Sequence, residues 1–273
     1  MQKVILSKDF LEQQLRTKSP SDISKEIGCC AETVRRRIKK LGIIRSKHSH
    51  LINEHFFKTW SKDMAYILGF AYADGSVGKF NNRQKLVFQL NPKDISILEY
   101  IISHIQPTRS IYRYERIQSQ TKRPFSVIIT DFSSKILVED LIGLGCVENK
   151  TYTEIRVPTM PKDMLSHFIR GYFDGDGSAW YTVNQAGSIK CGANIVCSSI
   201  SFLEDILKVI QFGKLTKNRN LPCIEFYSKD DFMSLYNFLY SDGGFCLERK
   251  KDKLKLISEP VSKIRNTLNL ETL

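Results

Sequence analysis

An internal repeat restricts the folds open to this chain more than any other feature of the sequence. Residues 67–76 (ILGFAYADGS) parallel residues 169–178 (IRGYFDGDGS), and residues 147–150 (VENK) parallel residues 247–250 (LERK). The two parallels have offsets of 102 and 100 residues. Two matches at nearly one offset indicate two similar subdomains of about 100 residues each.

Each copy predicts the same order of elements, αββαββα. A helix ends at an Asp-Gly pair, and a polar hairpin follows, with Asn81 and Asn82 as its turn in the first copy. Another helix, two strands and a last helix complete the unit. The predicted strands are 77–80, 85–90, 110–118 and 126–130, then 180–183, 189–197, 213–218 and 223–228. The predicted later helices are 95–105 and 133–144, then 201–210 and 230–240.

The repeated helix carries small residues four positions apart in both copies. These are Gly69 with Ala73, and Gly171 with Gly175. Such a stripe lets another backbone approach closely. One stripe alone is equally typical of a helix packed on a sheet, whereas two matching stripes predict that the two helices pack on each other.

Each repeated helix also ends in an acid, Asp74 in the first copy and Asp176 in the second. The helix dipole disfavours a negative charge at the C-terminus, and pairing the helices brings the two carboxylates together at a further cost. Such departures from local preference are typical of functional sites. A divalent cation offsets both costs, and Mg²⁺ prefers oxygen ligands of this kind. The two acids therefore predict a metal-dependent hydrolytic site.

The repeated motif resembles the LAGLIDADG motif of homing endonucleases, most closely over residues 169–177. The resemblance covers residues 61–258 and implies an α+β fold in which two pseudo-symmetric αββαββα subdomains form a DNA-binding saddle. It implies a site-specific endonuclease that makes double-strand breaks with short 3′ overhangs. Asp74 and Asp176 are then the ligands of the catalytic Mg²⁺.

The resemblance also places one basic residue of each half near the scissile phosphates, Lys150 and Lys250. For each of them, a solvated surface lysine is the alternative. The first motif departs from the family pattern, because Tyr72 stands where the family often has an earlier acid, kept as Asp174 in the second copy. This difference leaves open whether the two halves function equally.

The charge of the chain points to a polyanionic partner. Lysine and arginine number 41 against 29 acids, giving a formal net charge of +12, although a surplus that serves solubility is the alternative. Residues 1–60 alone carry +7. A helix over about 10–16, a second after Pro20 and an arginine-rich third over 31–41 predict a helix-turn-helix domain. Its candidate DNA contacts are Thr33, Arg35, Arg36 and Arg37, and a basic helical bundle without a DNA role is the alternative.

The predicted strands carry basic residues suited to phosphates and guanines. Strand 110–118 alternates so that Tyr112, Tyr114 and Arg116 share one face. Any single residue of the set is more typical of a solvated side chain, and only the whole set favours DNA. The candidates are Lys79, Arg83, Lys85, Arg113, Arg116, Lys122, Lys190, Lys214, Lys217 and Arg219.

The predicted organisation is a helix-turn-helix domain over 1–45, a linker over 46–60, and LAGLIDADG subdomains over 61–160 and 161–273. The expected partner is double-stranded DNA, and one chain with both motifs predicts a monomer. Two alternatives stay open, an RNA maturase that binds its host intron RNA and a non-catalytic DNA-binding regulator. Seven cysteines without disulfide or zinc spacing, no signal peptide and no apolar run of membrane length predict a cytoplasmic or other reducing, DNA-containing compartment.

Overall fold

The structure of the protein is a computed structural model that describes residues 6–15, 18, 20–43, 52–118, 122–148, 153–218 and 221–268. The chain divides into two compact units. One comprises residues 1–53 with 102–110, and the other comprises residues 54–101 with 111–273. Along the described ranges, no helix has the length and apolar character needed to cross a membrane.

The N-terminal unit contains three helices, α1 (Lys8–Gln14), α2 (Pro20–Glu26) and α3 (Ala31–Lys40). The three predicted helices are confirmed, although α1 begins earlier than expected because the Ser7 side chain accepts a hydrogen bond from the Phe10 amide at 3.2 Å. Gly28 has φ +68° at the turn between α2 and α3. The core of the unit contains Leu11, Ile23, Val34 and Ile38.

Residues 54–273 contain the repeated αββαββα order, which confirms the predicted α+β fold, and all of these elements lie in the larger unit except residues 102–105. The first copy consists of α4 (Lys62–Asp74), β1 (Gly75–Phe80), β2 (Arg83–Leu90), α5 (Ile95–Ile105), β3 (Tyr112–Ile117), β4 (Pro124–Ser133) and α6 (Lys135–Gly143). The second consists of α7 (Leu165–Asp176), β5 (Gly177–Val183), β6 (Ile189–Val196), α8 (Ile200–Ile210), β7 (Lys214–Asn218), β8 (Leu221–Phe226) and α9 (Lys229–Tyr240). The antiparallel sheets have matching strand orders, β1-β2-β4-β3 and β5-β6-β8-β7.

Two helices follow the second copy that the sequence did not predict, α10 (Glu248–Ser258) and α11 (Val261–Thr267). Five of the first eight residues of α10 are Lys or Arg. This charge obscures the helical spacing of its few buried residues in the sequence. The buried positions are Lys250, Leu254 and Ile257, at helical spacings of four and three, together with Ser258. Pro260 precedes α11 as its N-cap.

Each sheet has a helix-packed face and an opposite face, which we call the open face. In the first sheet Leu86, Phe88, Ile128 and Phe132 are buried on the helix-packed face. The ring of Phe88 lies 5.7 Å from that of Phe70 on α4. The alternate residues of each strand form the open face, so the fold leaves one side of each sheet available to a partner.

Candidate active site

The two repeated helices, α4 and α7, cross with their backbones in contact. A Cβ atom added to Gly69 would overlap the carbonyl of Phe168, and one added to Gly171 would overlap the carbonyl of Tyr66. These two contacts are exchanged by the 102-residue repeat. The predicted packing of the two helices on each other is confirmed, and it requires glycine at both positions.

The two helices end at the same side of the crossing, which brings their terminal acids together. Asp74 is the last residue of α4 and Asp176 the last residue of α7. A Cβ atom on Gly175 would meet that of Ala73 and would lie 3.3 Å from Oδ2 of Asp74. Asp74 is exposed and Asp176 is half-buried, so both carboxylates can meet solvent or a substrate.

Lys250 lies next to these acids but is not a solvated surface residue. Its side chain is buried, and its ammonium donates hydrogen bonds to the carbonyls of Phe173 at 2.9 Å, Gly175 at 2.9 Å and Gly177 at 2.6 Å. Burial lowers the pKa of Lys250 to about 8, against the opposing effect of the nearby acids, which include Asp74 and Asp176. The ammonium therefore caps the carbonyl end of α7, around Asp176 itself.

Asp174 anchors the start of α10 to α7. Its Oδ2 accepts hydrogen bonds from the Leu247 amide at 2.7 Å and from the Tyr66 hydroxyl at 2.8 Å. Leu247 is the N-cap residue of α10, and the Lys250 amide donates to its carbonyl at 2.8 Å. Asp174 thereby holds the helix that presents Lys250, and burial raises the pKa of this carboxyl to about 6.

Tyr72 occupies the matching place in the first half. Its hydroxyl donates to the Leu144 carbonyl at 2.5 Å, which links α4 to the segment that follows α6. The side chain is buried, with its ring stacked on that of Phe202 at 5.8 Å. In the second half Asp174 links α7 to the start of α10. In the first half Tyr72 stands at the matching position and links α4 to the segment after α6 instead.

A second set of buried polar groups on α7 was missed by the sequence reasoning. Arg170 is 1% exposed and donates to the carbonyls of Leu239 at 2.9 Å and Gly243 at 2.6 Å. It also lies 2.8 Å from Nδ1 of the buried His167. The partners of Arg170 lie about 70 residues away in the chain, so no local pattern in the sequence indicated them.

The helix-turn-helix candidates lie on α3, on two different surfaces. Thr33, Arg35 and Arg36 are exposed, and both arginines lie 3.6 Å from Glu32. Arg37 is half-buried, and its Nε donates to the Leu6 carbonyl at 3.0 Å. Arg37 therefore stabilises the packing of its own unit, while the other three face solvent.

The strand candidates are divided between the two faces of the sheets. Pairing of β3 with β4 places Tyr112, Tyr114 and Arg116 on the open face, as predicted, and Arg113 on the opposite face. The open faces also contain Arg83, Lys85, Lys190 and Lys214, whereas Lys79 and Lys217 alternate to the helix-packed side. Lys85 pairs with Asp131 at 2.7 Å. Lys122 lies between β3 and β4. Lys150 and Arg219 lie outside the described residues.

The described part of the chain contains no group of three or more His, Cys, Asp or Glu side chains placed to hold a metal ion. The candidate site offers two carboxylates, those of Asp74 and Asp176.

A cleft of about 280 Å³ lies beside Asp176 and is lined in part by Tyr72, Tyr172 and Leu221. This cleft leaves room for a substrate group next to the carboxylate.

No protein-family model matches the chain. Over 158 residues it is 26% identical to a probable translation initiation factor IF-2 of Thermococcus kodakarensis, a match that covers 56% of this chain and 12% of that protein. The chain thus spans a small part of this curated relative.

Solved structures give a broader likeness. The homing endonuclease I-WcaI bound to its DNA recognition sequence has a TM-score of 0.53 at 16% identity, over 79% of this chain and 96% of that one. The LAGLIDADG homing endonuclease I-GzeII in complex with its DNA target has 0.55 at 13%, over 78% and 94%. The LAGLIDADG meganuclease I-AabMI bound to uncleaved DNA has 0.51 at 13%, over 76% and 98%. The chain therefore has the fold of LAGLIDADG homing endonucleases, as the repeated motif predicted.

Proposed function

We propose that the chain is a site-specific nuclease that makes a metal-dependent double-strand break in a long DNA duplex. The observation that carries the proposal is the backbone-packed helix pair that ends in Asp74 and Asp176 at one side. Each carboxylate lies at the unfavourable end of its helix dipole, and the two also repel each other. An arrangement with both costs favours a site that binds cations.

The donor set fits Mg²⁺. This ion commonly takes one or two carboxylates and fills its remaining positions with waters and substrate phosphates. Asp74 and Asp176 supply that number of carboxylates, both accessible from outside. A divalent cation, when bound, lowers the pKa of water and neutralises charge on the leaving oxygen in phosphodiester hydrolysis. The two acids would hold the cation and orient it. The pseudo-symmetry of the halves supports one cut per strand.

Lys250 acts in this proposal as a positioning residue. Its three hydrogen bonds to carbonyls fix the last turn of α7, on which Asp176 stands. Its charge also opposes the negative end of the helix dipole. Lys150 is assigned the equivalent place in the first half on the repeat alone.

We further propose that the N-terminal unit lengthens the stretch of DNA that the protein contacts, without taking part in the chemistry. Thr33, Arg35 and Arg36 are exposed on α3, and the unit has a hydrophobic core of its own. The division into a helix-turn-helix domain over 1–45, a linker over 46–60 and subdomains over 61–160 and 161–273 is part of this proposal. Phe57, in the proposed linker, is buried within the larger unit.

The test uses the full chain and a library of random duplexes of about 40 base pairs, selected for binding in EDTA and then exposed to Mg²⁺. We expect double-strand cuts in the selected duplexes with Mg²⁺ and none with EDTA. Asp74→Asn and Asp176→Asn should each lower the single-turnover rate at least about 100-fold, while binding changes little. Asp252→Asn, at an exposed aspartate on α10, is the matched control.

Three outcomes contradict the proposal. Normal cutting by both Asp74→Asn and Asp176→Asn would show that the site is elsewhere. Binding of duplex DNA without any cut by the wild-type protein would favour a non-catalytic regulator. Preference for structured RNA over every duplex would favour a maturase.

A further inference from the structure

The two open faces differ in chemistry although their strands have the same order. In the outer half of the first sheet, β3 and β4 place Tyr112, Tyr114 and Arg116 beside Ile129, Val127 and Phe125, in that register. Tyr114 is 53% exposed, Tyr112 45% and Phe125 44%, whereas Val127 is buried at 5%. We call these six residues the aromatic strip. Its only charge is Arg116.

The corresponding face of the second sheet is largely polar. Pairing of β5, β6 and β8 places Thr182 beside Lys190, and Asn194 beside Glu225. Thr216 of β7 donates to Glu225 at 2.7 Å on the same face. The Trp180 ring lies against Gly192, whose absent side chain makes room for it. Apart from Trp180 and Leu221, which are 38% and 40% exposed, this face offers donors and acceptors, whereas the aromatic strip offers mainly apolar surface.

The major groove contains one apolar group on the base edges, the C5 methyl of thymine. Lysine, asparagine and glutamate side chains on a sheet can satisfy the polar base edges. In the aromatic strip only the Tyr112 and Tyr114 hydroxyls and Arg116 can do so, because the rings and aliphatic side chains bring no hydrogen bonds. An apolar face pressed against guanine or adenine would leave their donors and acceptors unpaired, at a cost. Thymine methyls avoid that cost, and Arg116 can meet a neighbouring phosphate.

We propose that the aromatic strip contacts thymine methyl groups, so that the half-site under the first sheet is thymine-rich, while the second sheet selects its half-site by hydrogen bonds. The inference rests on the proposed function, because it takes the open faces to be the DNA-binding surface. It adds the class of sequence that the first half selects.

The test compares two random duplex libraries. The first contains thymine, and in the second thymine is replaced throughout by deoxyuridine, which lacks the C5 methyl. The full chain selects bound duplexes in EDTA. We expect one half of the site to be enriched in thymine in the first library, and this enrichment to disappear in the second. The preference in the other half should survive in both. Equal enrichment in both libraries overturns the proposal.

A selected duplex then gives the magnitude. Each thymine replaced by deoxyuridine in the enriched half should weaken binding about fourfold, the effect of one buried methyl. The same replacement in the other half should change nothing. Tyr114→Ser and Phe125→Ser should weaken binding and shrink the deoxyuridine effect. The matched control is Glu115→Ser, on β3 but on the opposite face.

The remaining outcomes are also decisive. If the strip instead binds a second copy of the chain, Tyr114→Ser will shift the oligomeric state in the absence of DNA and deoxyuridine will have no effect, which overturns the proposal. Failure of the nuclease function looks different, because thymine enrichment would then be seen in duplexes that Mg²⁺ leaves uncut.

Discussion

Asp174→Asn should change the pH dependence of folding by an amount that the structure sets. Burial raises the pKa of Asp174 from 3.8 to about 6, although hydrogen bonds from Tyr66 and Leu247 oppose the rise. This rise in the pKa corresponds to about 3 kcal/mol. Because the folded pKa exceeds the unfolded one, the folded chain keeps its proton to higher pH. The free energy of unfolding therefore falls as pH rises from about 4 to about 6.

The asparagine variant removes the charge but keeps an oxygen that can accept from the Leu247 amide. Urea unfolding at pH values from 4 to 7 should show the wild-type stability falling by about 3 kcal/mol relative to Asp174→Asn. Asp252→Asn, on the exposed side of α10, should show no such relative change. A difference between wild type and Asp174→Asn that stays constant over this pH range would refute the reasoning, because the carboxyl would then not titrate differently in the folded state.

Three further variants test other contacts. Tyr72→Phe removes the hydrogen bond to the Leu144 carbonyl and should lower the free energy of unfolding in urea by about 1–3 kcal/mol. This loss should not depend on pH between 4 and 8, because burial raises the pKa of Tyr72 further above that range. A pH-dependent loss would contradict this. Gly171→Ala places a Cβ against the Tyr66 carbonyl and should cost at least about 3 kcal/mol, whereas Gly143→Ala on α6, with open space around it, should be neutral or slightly stabilising in thermal melts. Equal melting temperatures for these two would disprove the close crossing. Replacing Arg35 and Arg36 together by Ala should lower the slope of log affinity against log salt by about 2, with Lys8→Ala as control; an unchanged slope would exclude α3 from the DNA contact.

The sequence predicted the features that depend on short segments or on the repeat itself. Asn81 and Asn82 have φ of 48° and 62°, the left-handed pair that a two-residue hairpin turn requires, and this turn was expected from the two residues alone. The ends of α4 and α7 at Asp74 and Asp176 followed from the Asp-Gly pairs. Repetition at one offset supplied what a single motif lacks, a reason to pack the two helices together.

What the sequence did not predict depends on distant partners. Arg170 is hydrophilic and lies in the second motif, yet it is buried because two carbonyls about 70 residues downstream accept its hydrogen bonds. Lys250 is one of three consecutive basic residues, and only the placement of α10 against α7 distinguishes it from its neighbours. Strand positions likewise gave the alternation of β3 but not which of Arg113 and Arg116 faces the helices.

The pseudo-symmetry is strict where backbones touch and relaxed where side chains link helices to loops. At the crossing, Gly69 against Phe168 and Gly171 against Tyr66 are images of each other, because only the absence of a side chain satisfies the contact. At the anchor of each half, a tyrosine hydroxyl donates to a carbonyl in one copy and a carboxylate accepts from an amide in the other. A donor or an acceptor can fix the segment that follows the helix, so the position of Tyr72 and Asp174 is free to diverge between the halves. Among the described residues, only the second half has charged side chains buried in this way. Because burial raises the pKa of Asp174 to about 6, loosening driven by its ionisation should appear as the pH rises through that value, at α10 and Asp176, and should leave the end at Asp74 unchanged.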